Sequence, residues 1–174
     1  MVRTIDRRVD GRLSVWWRAM TAFRTTRAAV DDFVAQKTLA LVGVSRGGKG
    51  FGHSLLKELL EKGYRVTPVH PDAAEIAGLR CAPSLADLPE PVGGVVVVVP
   101  PAAAVGVVRD AIAAGIPRIW LQQGAESAES VRLAEQAGVK VVAGQCLLMF
   151  AEPVDWWGHR LHHWVLKIAR RLPD

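Results

Sequence analysis

The chain has 174 residues, half of them apolar, and a formal net charge of +5. A chain of that length and composition buries roughly 70% of its unfolded surface as one packed domain, which excludes a disordered tether. Its strongest apolar run, Val95–Val99, falls far short of the about 20 residues that span a bilayer, and two distant cysteines, Cys81 and Cys146, suggest reduced thiols in a cytoplasmic protein.

The N-terminal segment 1–36 carries +3, from seven arginines and four aspartates. Leu13, Trp16, Trp17, Met20, Phe23, Val30, Phe33 and Val34 follow helical spacing there, predicting a basic amphipathic extension. Met20 is an alternative start, so residues 1–19 are expected as a poorly ordered lead and Thr21–Gln36 as the helix entering the domain. No apolar stretch or small-residue cleavage site follows the first arginines, so no secretory signal is expected.

From 37 to 146 strand and helix patterns alternate. Thr38–Val44 is the first strand, and leucines 55, 56, 59 and 60 mark a helix over Ser54–Glu61 that Gly63 stops. Tyr64–Val69 is the second strand. Residues 72–93, with prolines at 83, 89 and 91, read as a surface connection with at most a short strand near Leu79 and one helical turn after Ser84. Val95–Val99, Arg118–Gln122 and Val139–Ala143 are the later strands, with helices over Ala102–Ala114 and Glu126–Ala137 between them. This alternation predicts a doubly wound parallel α/β sheet of about five strands, of Rossmann type. Segment 147–174 is expected as an amphipathic C-terminal helix, with Trp157, Leu161, Trp164, Val165, Ile168 and Leu172 on one stripe.

The central domain, 37–150, holds only +1, so the basic excess lies mostly outside it and no nucleic acid is expected as partner. Its cations concentrate instead in the glycine-rich loop Gly43-Val-Ser45-Arg46-Gly47-Gly48-Lys49-Gly50-Phe-Gly52. Such a loop lets backbone N–H groups approach phosphate oxygens, and the following helix adds its positive dipole end. The stretch Gly43 to Lys49 satisfies G-x-x-x-x-G-K, but Gly50 stands where a P-loop needs Ser or Thr for Mg²⁺, which argues against nucleoside triphosphate hydrolysis. A dinucleotide fingerprint fails at Ser45. Asp72, close behind the second strand, keeps an NAD(P)-binding oxidoreductase or redox sensor open as an alternative.

The third pattern is an ordered set. It comprises Gly-x-Ser-Arg after the first strand, Tyr64-Arg-Val-Thr-Pro-Val-His-Pro71, Ser84-Leu-Ala-Asp-Leu-Pro89, Val99-Pro100, Trp120-Leu-Gln-Gln-Gly124, and Ala137-Gly-Val-Lys-Val-Val142 with Cys146 beyond. In this order, over about residues 32–149, the chain resembles the stand-alone CoA-binding domain proteins, related to the N-terminal domain of the succinyl-CoA synthetase alpha subunit. The resemblance implies non-catalytic binding of CoA or acyl-CoA. Gly43, Ser45, Arg46, Gly47, Gly48 and Lys49 would then serve the diphosphate, with Val69, Pro71, Val99 and Pro100 on the adenine side. Leu121, Gln122 and Gln123 would face the pantetheine arm. The related synthetase domains place a lysine after the second strand, suited to the 3′-phosphate, whereas Pro71-Asp-Ala-Ala-Glu75 is acidic. Either Arg46, Lys49 or Arg80 supplies that charge, or CoA binds weakly, or the turn favours a ligand without the phosphate.

The remaining candidates read as structural. Cys146 is expected as a small buried residue and His53 as a space-filler in the first helix. Asp155, His159 and His163 recur at i, i+4 and i+8 without a second ligand-bearing segment, so no metal site is expected. The tryptophan-bearing flanks are expected to dock on the domain or on a second subunit in a homo-oligomer, in preference to a membrane surface, and a membrane- or partner-interaction protein acting through these basic helical flanks stays open as a further alternative.

Overall fold

The structure, a computed structural model, describes residues 25–151. Helix α1 (Arg27–Val34) is capped by Thr26, whose hydroxyl accepts from the Ala29 N–H at 3.2 Å. Strand β1 (Thr38–Val42), helix α2 (Phe51–Glu61) and strand β2 (Arg65–Val69) follow. A hairpin of β3 (Glu75–Ile76) and β4 (Leu79–Arg80) comes next, then a 3₁₀ turn at Leu85–Asp87. The chain continues through β5 (Gly94–Val97), α3 (Pro101–Ala113), β6 (Arg118–Gln122), α4 (Ala128–Gln136), β7 (Lys140–Gln145) and a 3₁₀ turn at Leu147–Met149.

The five longer strands form one parallel sheet in the order β2-β1-β5-β6-β7. The order reverses between β1 and β5, which makes their carboxyl ends the switch point of this doubly wound sheet. Side chains alternate between the two faces, and both faces are dry. Leu39, Leu41, Val96, Trp120 and Val142 pack with α1, α2 and the last 3₁₀ turn. Ala40, Val95, Val97, Ile119, Leu121 and Ala143 pack with α3, α4 and Leu85. That double burial explains why Val95, Val96 and Val97 run without a polar interruption.

Trp120 anchors the first face. It is fully buried, its ring lies 5.2 Å from Phe33 and 6.0 Å from Phe150, and its indole N–H donates to the Gln145 carbonyl at 3.0 Å. A single carboxylate ties the amino end of the sheet. Asp32 on α1 accepts two bonds from Arg118 (2.8 and 3.1 Å) and one from Lys140 (2.9 Å), while Arg118 also donates to the Gly93 carbonyl. Hydrogen bonds from Arg118 and then Lys140 hold the Asp32 pKa down at about 2, against the smaller opposing effect of burial.

The expected alternation is present, with local corrections. The first and third strands end two residues earlier than predicted, at Val42 and Val97, because Gly43 turns to φ +106° and the chain beyond Val97 leads into Pro100-Pro101. The last strand runs on to Gln145, and Ser127 delays α4 to Ala128 by capping it. Residues 72–93 are more than a surface connection: the hairpin lies within them, Ile76, Cys81, Ala82 and Leu85 are buried, and Ala82 bridges Val69 on β2. At the start of the segment expected as the C-terminal helix, Leu147–Met149 form a 3₁₀ turn, and residues 147–151 are buried in the core. Residues 1–24 and 152–174 lie outside the described residues. With them lie the Trp16/Trp17 and Trp157/Trp164 stripes and the Asp155, His159, His163 triplet.

Candidate functional site at the carboxyl edge of the sheet

The register aligns Val69, Val42, Val97, Leu121 and Ala143 as one row across the five strands. The residues expected to meet the diphosphate, adenine and pantetheine lie in this row or in the segments that leave it, from Gly43 next to Val42 out to Lys49 seven positions on, whereas Arg80 lies on the separate β3–β4 hairpin.

At the centre of that edge two glycines permit a close approach. A Cβ on Gly43 would stand 2.3 Å from the Val98 carbonyl oxygen, and one on Gly52 would stand 2.6 Å from the Gly43 carbonyl oxygen. The ends of β1 and β5 and the first turn of α2 meet there at backbone distance, which no larger residue allows. Between the two glycines Val44 is buried and Ser45 to Gly50 are exposed. The Ser45 hydroxyl donates to the Lys49 carbonyl at 2.5 Å and closes the loop on itself. That proton is therefore engaged within the loop, leaving the hydroxyl oxygen and the backbone amides to meet a ligand. Arg46 and Lys49 are exposed and form no ion pair among the described residues. His53 lies beneath the loop, its Cε1 3.9 Å from the position of a Cβ on Gly48, and its buried Nδ1 has no hydrogen-bond partner among the described residues.

The described helix starts divide into two kinds. Thr26 caps α1, and Ser127 with Ser130 forms a reciprocal capping box on α4. By contrast α2 begins after Gly50 and α3 after Pro100, and neither has a side-chain cap. These are the two helices that follow β1 and β5, the strands at the reversal point. His53 and Ala103 donate back to the Gly50 and Pro100 carbonyls, and Pro101 has no N–H, so the amides left without an acceptor among the described residues at these starts are those of Phe51, Gly52 and Ala102, at the positive ends of the two helix dipoles.

On the β2 side, Val69 is buried in the core, while Pro71 and Asp72 are exposed. The Asp72 N–H donates to His70 Nδ1 at 3.1 Å, fixing the turn. Val99 is half-buried and Pro100 exposed. The trio expected from the sequence to face a pantetheine arm is divided. Leu121 is fully buried among apolar neighbours, and the side chain of Gln122, 3% exposed, accepts the Leu147 N–H at 3.2 Å. Only Gln123 is exposed, and its N–H donates to the Gln145 carbonyl.

An open groove of about 660 Å³ runs from the start of α3 at Pro101 along Gly106 and Arg109 to Ser127, and another of about 500 Å³ lies near Leu88, Pro91 and Ile116. Neither is lined by the glycine loop. Among the described residues no histidine is hydrogen-bonded to a serine or cysteine side chain, and no cluster of three His, Cys, Asp or Glu could hold a metal. None of the described helices is long and apolar enough to cross a membrane.

The sequence alone does not single out the Gly52 contact or the inward turn of Gln122. A glycine in the first turn of a helix is the available signal for Gly52. For Gln122 there is none, since its partner is a backbone amide in a different segment.

Sheet order and edge together define a Rossmann-type domain with a glycine-rich loop at its reversal point. The chain belongs to the CoA binding domain family, which matches residues 37–152. It is 27% identical to YneT, an uncharacterized protein of Bacillus subtilis (strain 168), over 123 residues that cover 70% of this chain and 91% of that protein. It is 30% identical, also over 123 residues, to ADP-forming acetate–CoA ligase I of Archaeoglobus fulgidus, covering 65% of this chain but 18% of the ligase. Among solved structures, a conserved hypothetical protein from Pyrococcus furiosus shares 43% identity with a TM-score of 0.61, covering 64% of this chain and 96% of that one.

Proposed function

We propose that this protein is a non-catalytic, cytoplasmic binder of CoA or acyl-CoA, holding the ligand's diphosphate at the Ser45–Lys49 loop. One observation supports the assignment to the loop: the described helices without side-chain caps are the two flanking the reversal point, and the exposed Arg46 and Lys49 stand beside one of them. A diphosphate supplies acceptors for the open amides and balances the two cations. Membership of the CoA binding domain family supports the choice of ligand, and the two free cysteines support a reducing compartment.

Calorimetric titration with CoA tests the proposal. Replacing Arg46 and Lys49 together by alanine is expected to weaken binding by about 1–3 kcal/mol, the range of charge-assisted hydrogen bonds. Unchanged affinity in the double variant removes the loop from the site, and absence of CoA binding by the wild type refutes the assignment.

A further inference from the structure

We propose that the β2 side of this site selects a nucleotide whose ribose carries a free cis-diol, so that 3′-dephospho-CoA binds more tightly than CoA itself. The inference rests on the CoA-type reading of the loop and concerns which form of the ligand that site accepts.

The register puts Asp72 at this edge. Val42 and Val69 are paired on neighbouring strands, so Asp72 is the third residue past the row on β2, as Ser45 is on β1. In a doubly wound sheet whose phosphate loop follows the first strand, the end of the neighbouring strand faces the ribose. The Asp72 backbone is pinned through its N–H to His70 Nδ1, while its exposed carboxylate has no ion pair or hydrogen bond among the described residues. An ionised carboxylate only accepts hydrogen bonds, and two adjacent hydroxyls are a matched pair of donors. A 3′-phosphate reverses that match, replacing one donor with acceptor oxygens and adding a charge of about −1.5 to −2.

Few cations could offset such a phosphate. Arg80 is paired in register with Glu75 in the β3–β4 hairpin, so the hairpin adds no net positive charge to this side. In the same segment burial, and secondarily the Glu75 carboxylate, push the Cys81 thiol up. Arg46 and Lys49 belong to the loop before α2, where the diphosphate already requires two positive charges. From Pro71 to Ala82 the chain therefore presents two carboxylates and one cation. Two like charges a few ångströms apart at a wetted surface lower affinity on the order of tenfold.

The test is a titration of CoA and 3′-dephospho-CoA into the wild-type protein, Asp72→Asn and Asp72→Lys. The wild type should prefer the dephospho form by about tenfold, Asp72→Asn should lose most of that preference, and Asp72→Lys should reverse it in favour of CoA. Wild type binding CoA as tightly as, or more tightly than, the dephospho form overturns the selection while leaving the loop assignment standing. So does a preference that survives in Asp72→Asn. If neither ligand binds the wild type, the loop assignment itself fails and the selection falls with it.

Discussion

Replacing Gly52 by alanine tests whether the close approach at the carboxyl edge constrains the protein. In an unconstrained helix interior glycine costs about 0.8–1.0 kcal/mol relative to alanine, so the substitution should stabilise. Here the new Cβ would meet the Gly43 carbonyl oxygen at 2.6 Å, with the Gly43 carbonyl carbon and Val44 Cα at 3.3 Å. All three are backbone atoms, so relief requires the start of α2 to move away from β1 by several tenths of an ångström. Overpacking of this kind costs about 1–3 kcal/mol. Subtracting the propensity gain leaves a net loss of about 1 kcal/mol, which lowers Tm by roughly 2–4 °C in a chain of this size. Gly106 provides the internal control. It lies within α3, with nothing within 4 Å of its added Cβ. Gly106→Ala should therefore stabilise by about 0.5–1 kcal/mol. Urea unfolding of the two variants against wild type reads both signs. A Gly52→Ala protein as stable as Gly106→Ala would show that α2 does not sit on β1 as described.

Lowering the pH should remove the clamp at the other end of the sheet: the Asp32 pKa is depressed in the folded state, so its contribution is present above about pH 4 and fades toward pH 2. Partial solvent screening limits that contribution to about 1 kcal/mol, and Asp32→Asn should flatten this part of the stability–pH profile; an unchanged profile would remove Asp32 as its source. Gln122→Leu keeps the volume but leaves the buried Leu147 N–H without its acceptor, which should cost about 1–3 kcal/mol in denaturant unfolding. Burial, and secondarily Glu75, raise the Cys81 pKa, so near pH 9 its thiol should alkylate more slowly in the native protein than in urea; equal rates would contradict its burial.

Where an element depends on local chemistry, it is legible in the sequence. The leucine spacing of α2, the uninterrupted valines of β5 and the glycines just past the C-caps of α2, α3 and α4 each follow from rules that act within a few residues. The β3–β4 hairpin hides inside a stretch that reads as a loop, because two-residue strands have no period to detect and their partners are each other. Asp32 is concealed for a different reason. Its partners Arg118 and Lys140 are 86 and 108 residues away, and an aspartate in an amphipathic helix looks like any solvated charge. At the edge, the glycines and the two loop cations stand out, but the conformations of Ser45 and Gln122 are set by bonds to the backbone of other residues. Residue type alone does not reveal that one closes the loop and the other turns inward.

The missing caps on α2 and α3 also determine where this fold breathes. At these two starts the amides of Phe51, Gly52 and Ala102 have no acceptor among the described residues, and such a helix end opens at little free-energy cost. Hydrogen exchange should therefore begin at the starts of α2 and α3, while α4, closed by Ser127 and Ser130, exchanges its first turn more slowly. An anion seated between the two open ends would act as one cap for both helices, worth about 1 kcal/mol at each. Ligand would then register first as slowed exchange at these two helix starts, before any change at the Asp32 end of the sheet. On the proposed reading, a ligand at this edge would take the place that Thr26 and Ser127 fill for the other two helices.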